Sequence, residues 1–102
     1  MAPDGAICYY SGRTLHRKNG PAIIWPDGSK QYYVNGMLHR EDGPAIISSL
    51  GFNYYYIHGI CHREDGPAVV GAGGLVIAYC LNGKKYSKEE FELRASKFLF
   101  NI

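Results

Sequence analysis

The sequence of 102 residues has only three cysteines and lacks both a long apolar run and a strong excess of charge. Cys8, Cys61 and Cys80 follow no metal-ligand spacing, so we expect free thiols in a reducing cytoplasm. The longest uncharged apolar stretch, 71–83, is well short of the roughly 20 residues that span a membrane. The start of the chain has no basic segment followed by an apolar one, so we expect no secretory signal. These features predict one small cytoplasmic domain that does not enter a membrane.

The charged residues are balanced over most of the chain. Residues 1–80 carry six basic and six acidic side chains, whereas residues 81–102 carry five basic and three acidic ones. The formal net charge of +2 therefore lies in the last part of the chain. A surface that binds nucleic acid usually carries a basic stripe. Because residues 1–80 show no such stripe, we do not expect nucleic acid as a partner.

Three segments of the sequence repeat at a step of 23 residues. Each segment has a histidine followed by arginine, two polar residues and Gly-Pro-Ala, and each has a pair of tyrosines upstream. A period of this length indicates stacked structural units. We treat 1–102 as a single domain with these parts: repeats 9–31, 32–54 and 55–80, a partial fourth repeat 81–86, and a C-terminal helix 87–102.

The second repeat predicts a meander of short antiparallel strands. Residues 31–34 are aromatic and β-branched, which is typical of a strand, and Asn35 with Gly36 predicts a type I′ hairpin turn. Residues 37–39 return as the second strand, and Gly43 is expected to supply a positive φ in the next turn. Residues 45–47 form the third strand. Strands this short are not stable alone, so the repeats are expected to stack side by side.

The end of the sequence predicts an amphipathic helix. Ser87 and Glu90 have the spacing of a capping box, in which each side chain bonds the backbone amide of the other residue. The apolar residues that follow recur at helical spacing: Phe91, Ala95, Phe98, Leu99 and Ile102. Such a helix would close the open end of a sheet, although docking to a partner is an alternative. The predicted fold class is mainly β, an antiparallel meander of hairpin repeats with a C-terminal helical cap.

The aromatic strand, Asn-Gly turn and histidine of the second repeat resemble the MORN repeat, on the residues Tyr33, Asn35, Gly36 and His39. The continuation His-Arg-Glu-Asp-Gly-Pro-Ala is similar to a variant found in short proteins of phages and large DNA viruses. The chain departs from the standard repeat because three residues separate His39 from Gly43. The resemblance implies a scaffold or protein-binding surface without enzyme activity. The phage variant implies a small accessory protein that blunts host defence.

Equivalent residues of the repeats form columns, and together with one tryptophan these columns are the predicted binding surface. The predicted residues are Tyr10, Tyr33, Tyr56, His16, His39, His62, Arg17, Arg40, Arg63 and Trp25. Equivalent histidines stand at least ~9–10 Å apart and cannot share a metal ion, so each is expected to brace a turn by bonding a backbone carbonyl. The arginines form either a solvated ladder with the neighbouring acids or a site for a carboxylate or phosphate. In the first repeat Lys18 and Asn19 replace those acids, which makes it the better anion site.

The paired tyrosines point to opposite faces of a strand. One column is therefore expected in the core, and the other at a surface covered by a partner, a second copy of the chain or the C-terminal helix. Trp25 lies in the first of the loops that connect the units and is a candidate contact residue. Cys61 is expected in the core, on the face opposite to His62, so the two cannot form a catalytic dyad.

The predicted function is that of a binding protein without catalytic residues or a cofactor. The main hypothesis is a phage-encoded inhibitor that covers a host antiviral protein in the host cytoplasm. One alternative is sequestration of a small anionic ligand such as a signalling nucleotide. Another is a structural or assembly role in a virion. A motif that is copied in every repeat favours scaffold chemistry over catalysis, because a catalytic site is normally single and asymmetric.

Overall fold

The computed structural model describes residues 5–99, with side chains as far as Ala95. It contains fourteen short strands, a 3-10 turn at Ala72–Gly74 and a C-terminal helix, α1 (Lys88–Leu99). The strands are β1 (Ile7–Cys8), β2 (Tyr10–Ser11), β3 (Thr14–Leu15), β4 (Ile23–Ile24), β5 (Lys30–Gln31), β6 (Tyr33–Val34), β7 (Met37–Leu38), β8 (Ile46–Ile47), β9 (Asn53–Tyr54), β10 (Tyr56–Ile57), β11 (Ile60–Cys61), β12 (Val69–Val70), β13 (Val76–Leu81) and β14 (Lys84–Tyr86).

Eight of these strands form one antiparallel sheet in the order β1-β4-β5-β8-β9-β12-β13-β14. The remaining strands form three hairpins, β2–β3, β6–β7 and β10–β11. This architecture confirms the predicted fold class, a mainly β antiparallel meander with one C-terminal helix. The strand predicted at 31–34 is divided at Tyr32. The amide of Tyr32 donates to Ala45 in the sheet (2.7 Å), whereas its carbonyl accepts from His39 at the base of the hairpin (3.0 Å).

Successive hairpins are joined by backbone hydrogen bonds. The amide of Arg17 donates to the carbonyl of Tyr33 (3.1 Å), and the amide of Gly36 donates to the carbonyl of Leu15 (2.9 Å). The same pair of bonds recurs twice further along the chain. The amides of Arg40 and Gly59 donate to the carbonyls of Tyr56 and Leu38, respectively. The amides of Arg63 and Gly83 donate to the carbonyls of Cys80 and Cys61. Each hairpin is therefore held in register by the preceding one.

The predicted type I′ turn is confirmed at Asn35 and Gly36, whose φ angles are 52° and 78°. The same turn recurs at His58 with Gly59 and at Asn82 with Gly83. Gly36 has a second reason to be glycine, since a Cβ there would lie 2.7 Å from the Thr14 methyl group of the preceding hairpin.

The interior of the sheet is built from small side chains. Ala22, Ala45 and Ala68 are fully buried, and among the described residues no large side chain is fully buried. The prediction that one tyrosine column fills the core is wrong, because the members of both columns are half-buried or exposed. Each alanine directly precedes a strand of the eight-stranded sheet, and its carbonyl accepts from the first tyrosine of a pair: Ala22 from Tyr9, Ala45 from Tyr32 and Ala68 from Tyr55.

The last hairpin is displaced by one extra residue. Val69 pairs with Ala78 and Val70 pairs with Val76, so Ile77 forms a bulge in β13. After the bulge the step between equivalent positions is 24 residues, which places Ser87 where the next arginine of the column would stand. Helix α1 begins there instead.

The helix is capped by Ser87, whose hydroxyl accepts from the amide of Glu90 (3.2 Å), as predicted. The reciprocal half of the capping box is wrong, since the carboxylate of Glu90 accepts from Arg94 Nε (2.8 Å). Phe91 and Ala95 are buried against Leu81 of the last hairpin. The side chains of Phe98 and Leu99, and residue Ile102, lie outside the described part of the chain.

Phe91 is expected to hold the helix on the sheet. Its ring is 5% exposed and its centroid lies 4.8 Å from that of Tyr79. We expect Phe91→Ala to lower the free energy of unfolding by about 3 kcal/mol, because it removes a buried ring and leaves a cavity. Urea denaturation followed by circular dichroism measures the change. Glu92→Ala, on the exposed side of the same turn, is the control, and equal loss in both variants would contradict this account of the helix.

Candidate functional site

The three histidines of the repeats brace the turn of the next hairpin. Nδ1 of His16 accepts from the amide of Asn35 (2.9 Å). The same bond joins His39 to the amide of His58 (2.9 Å) and His62 to the amide of Asn82 (2.8 Å). The expected bracing role is therefore present, but the predicted carbonyl partner is wrong. The type I′ turn directs the amide of its first central residue toward the preceding repeat, so the ring must act as an acceptor.

This geometry fixes the tautomer of each ring. A nitrogen that accepts an amide hydrogen bond carries no proton, so the ring hydrogen resides on Nε2. Nε2 of His39 lies 3.3 Å from a carboxylate oxygen of Glu41, and Nε2 of His62 lies 3.1 Å from one of Glu64. In the first repeat Lys18 stands where these acids would be. The histidine column is thus occupied by scaffold contacts.

We expect His16, His39 and His62 to show the Nε2–H tautomer in nitrogen-detected NMR spectra of the neutral rings. His58 is the internal control, because its exposed ring accepts from no backbone amide among the described residues. An Nδ1–H tautomer at any of the three column positions would contradict the assigned bonds.

Each arginine of the column is held between a tyrosine ring and a glycine. In the second repeat the Arg40 guanidinium carbon lies 4.0 Å from the centroid of the Tyr32 ring. Its Nη1 donates to the Pro44 carbonyl (3.2 Å), and its Nε donates to Asp42 (3.2 Å). A Cβ on Gly43 would lie 3.0 Å from the guanidinium carbon. Gly43 does not have a positive φ, so its expected role in the turn is wrong, and the residue is glycine because the arginine passes close above it.

The same arrangement recurs in the third repeat around Arg63, which lies over Tyr55 (4.0 Å) and bonds Pro67 (3.0 Å) and Asp65 (2.9 Å). Both arginines pair with the neighbouring acids, which is one of the two arrangements expected, although the Arg40 and Arg63 side chains are each only 25% exposed. Their acidic partners are largely exposed, so each ion pair contributes about 0–1 kcal/mol. Packing against tyrosine and the bond to proline fix these arginines more firmly than charge does.

Two open grooves separate the histidine-to-proline loops of successive repeats. Each groove has a volume of about 640 Å³. The first groove, between the first and second repeats, is lined by three cationic and two anionic side chains: Arg17, Lys18, Arg40, Glu41 and Asp42. The second groove, between the second and third repeats, is lined by two cationic and four anionic side chains: Arg40, Arg63, Glu41, Asp42, Glu64 and Asp65. The grooves are therefore equal in size but opposite in charge balance.

The second tyrosine of each pair does not form a uniform outer face. Tyr10 is 57% exposed, whereas Tyr33 and Tyr56 are half-buried. Burial, followed by the nearby Cys61 and Cys80 thiols, raises the pKa of Tyr56. Of this predicted column, Tyr10 is thus the member most available to a partner.

Cys61 lies half-buried beside Cys80 in the stacked hairpins. Burial, together with a hydrogen bond to Cys80, raises the pKa of the Cys61 thiol to about 12. Because the thiolate is the reactive form, this environment disfavours Cys61 as a nucleophile.

Alkylation tests this assignment. With a pKa of about 12, only ~0.01% of the Cys61 thiol is ionised at about pH 8. We expect iodoacetamide to modify Cys61 at least ~100-fold more slowly in the folded protein than in urea, as followed by peptide mass spectrometry. Equal rates in the folded and unfolded chains would contradict the raised pKa.

The loops that connect the repeats form one edge of the molecule, which we call the loop edge: residues 25–29, 48–52 and 71–75. In each loop the first amide donates to the carbonyl of the last residue. The first two loops are joined because Ser49 donates its amide to the hydroxyl of Ser29 (2.9 Å) and its hydroxyl to Asp27 (3.1 Å). The amide of Ser29 also donates to Asp27 and lowers the pKa of that carboxyl. This carboxylate therefore favours the folded loop above its unfolded pKa, and the contribution is lost as the pH falls through its folded pKa.

Exposed apolar side chains gather on the later part of the loop edge. Leu50, Leu75 and Ile77 are 75%, 66% and 49% exposed. Leu75, Ile77 and the Phe52 ring meet around Gly71, where a Cβ would lie 3.1–3.6 Å from them. We call Leu50, Phe52, Leu75 and Ile77 the loop patch.

Sequence reasoning did not find the loop patch. The bulge at Ile77 changes the alternation of β13, so apolar residues that a regular strand would turn inward are left exposed. The one sign of the bulge in the sequence is that the step between equivalent positions changes from 23 to 24 residues before the partial fourth repeat. Trp25, which sequence reasoning did select, occupies the equivalent loop of the first repeat and is half-buried, with Nε1 donating to Gln31 (3.1 Å).

Comparisons with protein-family models, with curated proteins and with solved structures found no match to this chain. The resemblance to the MORN repeat therefore stays a prediction from the motif. Within residues 5–99, no three or more His, Cys, Asp or Glu side chains are grouped so that they could hold a metal ion. None of the helices in this part of the chain has the length and apolar character needed to cross a membrane.

Proposed function

We propose that this protein is a non-enzymatic binding module that contacts a partner protein through the loop patch. The observation that carries the proposal is the set of exposed leucine and isoleucine side chains on the loop edge. Neighbouring apolar side chains left in water commonly mark a surface that another protein covers. Trp25, in the first loop of the same edge, is the sequence-predicted residue that could extend such a contact.

The shape of the chain supports the same proposal. It extends over 46 × 29 × 19 Å and exposes 6724 Å², compared with about 5,800 Å² for a compact protein of this size. A contact of ordinary size covers roughly 800 Å² on each partner. A thin body with a continuous edge can present that area without a conformational change.

The identity of the partner rests on the sequence resemblance alone. The similarity to the phage variant favours a host protein of antiviral defence, which this protein would inhibit by covering its surface in the host cytoplasm. In this proposal the histidine and arginine columns shape the molecule, since their side chains are bonded within it, and the exposed loops make the contact.

A matched pair of isoleucine variants tests the proposal. Ile77 and Ile60 are 49% and 48% exposed, but only Ile77 belongs to the loop patch. We expect the tagged wild-type protein and Ile60→Asp to retain the same protein from a lysate of the host. Ile77→Asp should bind that protein at least about tenfold more weakly, because a charge would be buried in the contact.

Thermal melting of both variants controls for damage to the fold. Retention of the partner by Ile77→Asp with unchanged affinity would refute the loop patch as the contact. Equal loss by both variants, at unchanged melting temperatures, would also refute it.

A further inference from the structure

The first repeat has an arginine without the acidic partner that the other repeats provide. Arg40 Nε bonds Asp42 (3.2 Å), and Arg63 Nε bonds Asp65 (2.9 Å). The equivalent residue in the first repeat is Asn19. Among the described residues, no carboxylate pairs with Arg17.

The pose of Arg17 is nevertheless the same as that of its equivalents. Its guanidinium carbon lies 3.8 Å from the centroid of the Tyr9 ring, and its Nη1 donates to the Pro21 carbonyl (3.1 Å). A Cβ on Gly20 would lie 3.0 Å from the guanidinium carbon. Arg17 is thus held in a fixed orientation with its Nε hydrogen unused, which reduces the entropy lost when a ligand binds.

A second substitution in the first repeat also makes the local charge more positive. Lys18 stands where the other repeats have Glu41 and Glu64, so a carboxylate is replaced by an ammonium. Arg17, Lys18 and Asn19 all line the first groove. Two acids have therefore been removed and one cation added at a single place.

We propose that Arg17, Lys18 and Asn19 form a binding site for one small oxyanion, a carboxylate or a phosphate. The ligand would take the place that the aspartate carboxylate occupies in the other two repeats. A guanidinium binds both kinds of oxyanion through charge-assisted hydrogen bonds, Lys18 adds a cationic donor, and the Asn19 amide adds a neutral one. This site lies apart from the loop patch and does not depend on the proposed protein contact.

The opposite wall of the groove limits the size of the ligand. Glu41 and Asp42 line that wall, and they are engaged by His39 and Arg40. Their charge disfavours a ligand with several anionic groups that extends across the groove. In the second groove the equivalent arginine is already paired with an acid, so no second site is expected there.

NMR of the arginine Nε–H groups in the full chain tests the site directly. Sodium acetate and inorganic phosphate are titrated separately, and sodium chloride at equal ionic strength is the reference. We expect the Arg17 signal to shift to saturation with acetate, phosphate or both, while the Arg40 and Arg63 signals stay in place. Saturation with acetate alone identifies a carboxylate ligand, and saturation with phosphate supports a phosphate ligand.

Two variants exchange, between the first and second repeats, the residues that follow the arginine. Asn19→Asp supplies the missing acid and should abolish the response of Arg17. Glu41→Lys combined with Asp42→Asn copies the first repeat into the second and should make Arg40 respond. A response of Arg17 to chloride equal to that with the oxyanions, no response at all, or an undiminished response in Asn19→Asp would overturn the proposal.

Discussion

The structure depends on one requirement, which is that the amides of each hairpin turn after the first find their acceptors in the preceding repeat. The first central amide is bonded by a histidine 19 or 20 residues upstream, and the second is bonded by the carbonyl of the residue before that histidine. The strands are too short to hold such hairpins separately. The bonds between repeats therefore hold successive hairpins in register and explain why the turn and the histidine recur together.

This construction uses most of the polar side chains that the repeat provides. The rings of His39 and His62 bond a turn amide on one side and a glutamate on the other, and Arg40 is enclosed by a tyrosine, a glycine and a proline carbonyl. A column of identical residues in this molecule is therefore explained by its role in the scaffold and does not by itself indicate a binding site. Both proposed binding sites lie where the pattern changes, at Lys18 and Asn19 in the first repeat and at the bulge of Ile77 near the end of the sheet.

Local signals in the sequence predict the elements well. Asn35 with Gly36 determines its turn by backbone conformation, and Ser87 determines the start of the helix by its hydroxyl. Features that depend on contacts between repeats could not be predicted. Gly43 is required by an arginine three residues away, and the histidine partner is a backbone amide of another hairpin. The prediction that one tyrosine column lies in the core was wrong for the same reason. Alternation along one strand does not show which face of that strand another layer covers.

Hydrogen exchange of the turn amides tests this account most directly. Gly12 occupies the first turn, and among the described residues its amide has no acceptor, whereas the equivalent amides of Asn35, His58 and Asn82 each bond a histidine. We expect slowed exchange at these three amides, and exchange at the rate of an unprotected amide at Gly12. If the amides of Asn35, His58 and Asn82 exchanged as rapidly as that of Gly12, the histidine-bonded turns could not be what holds the repeats together.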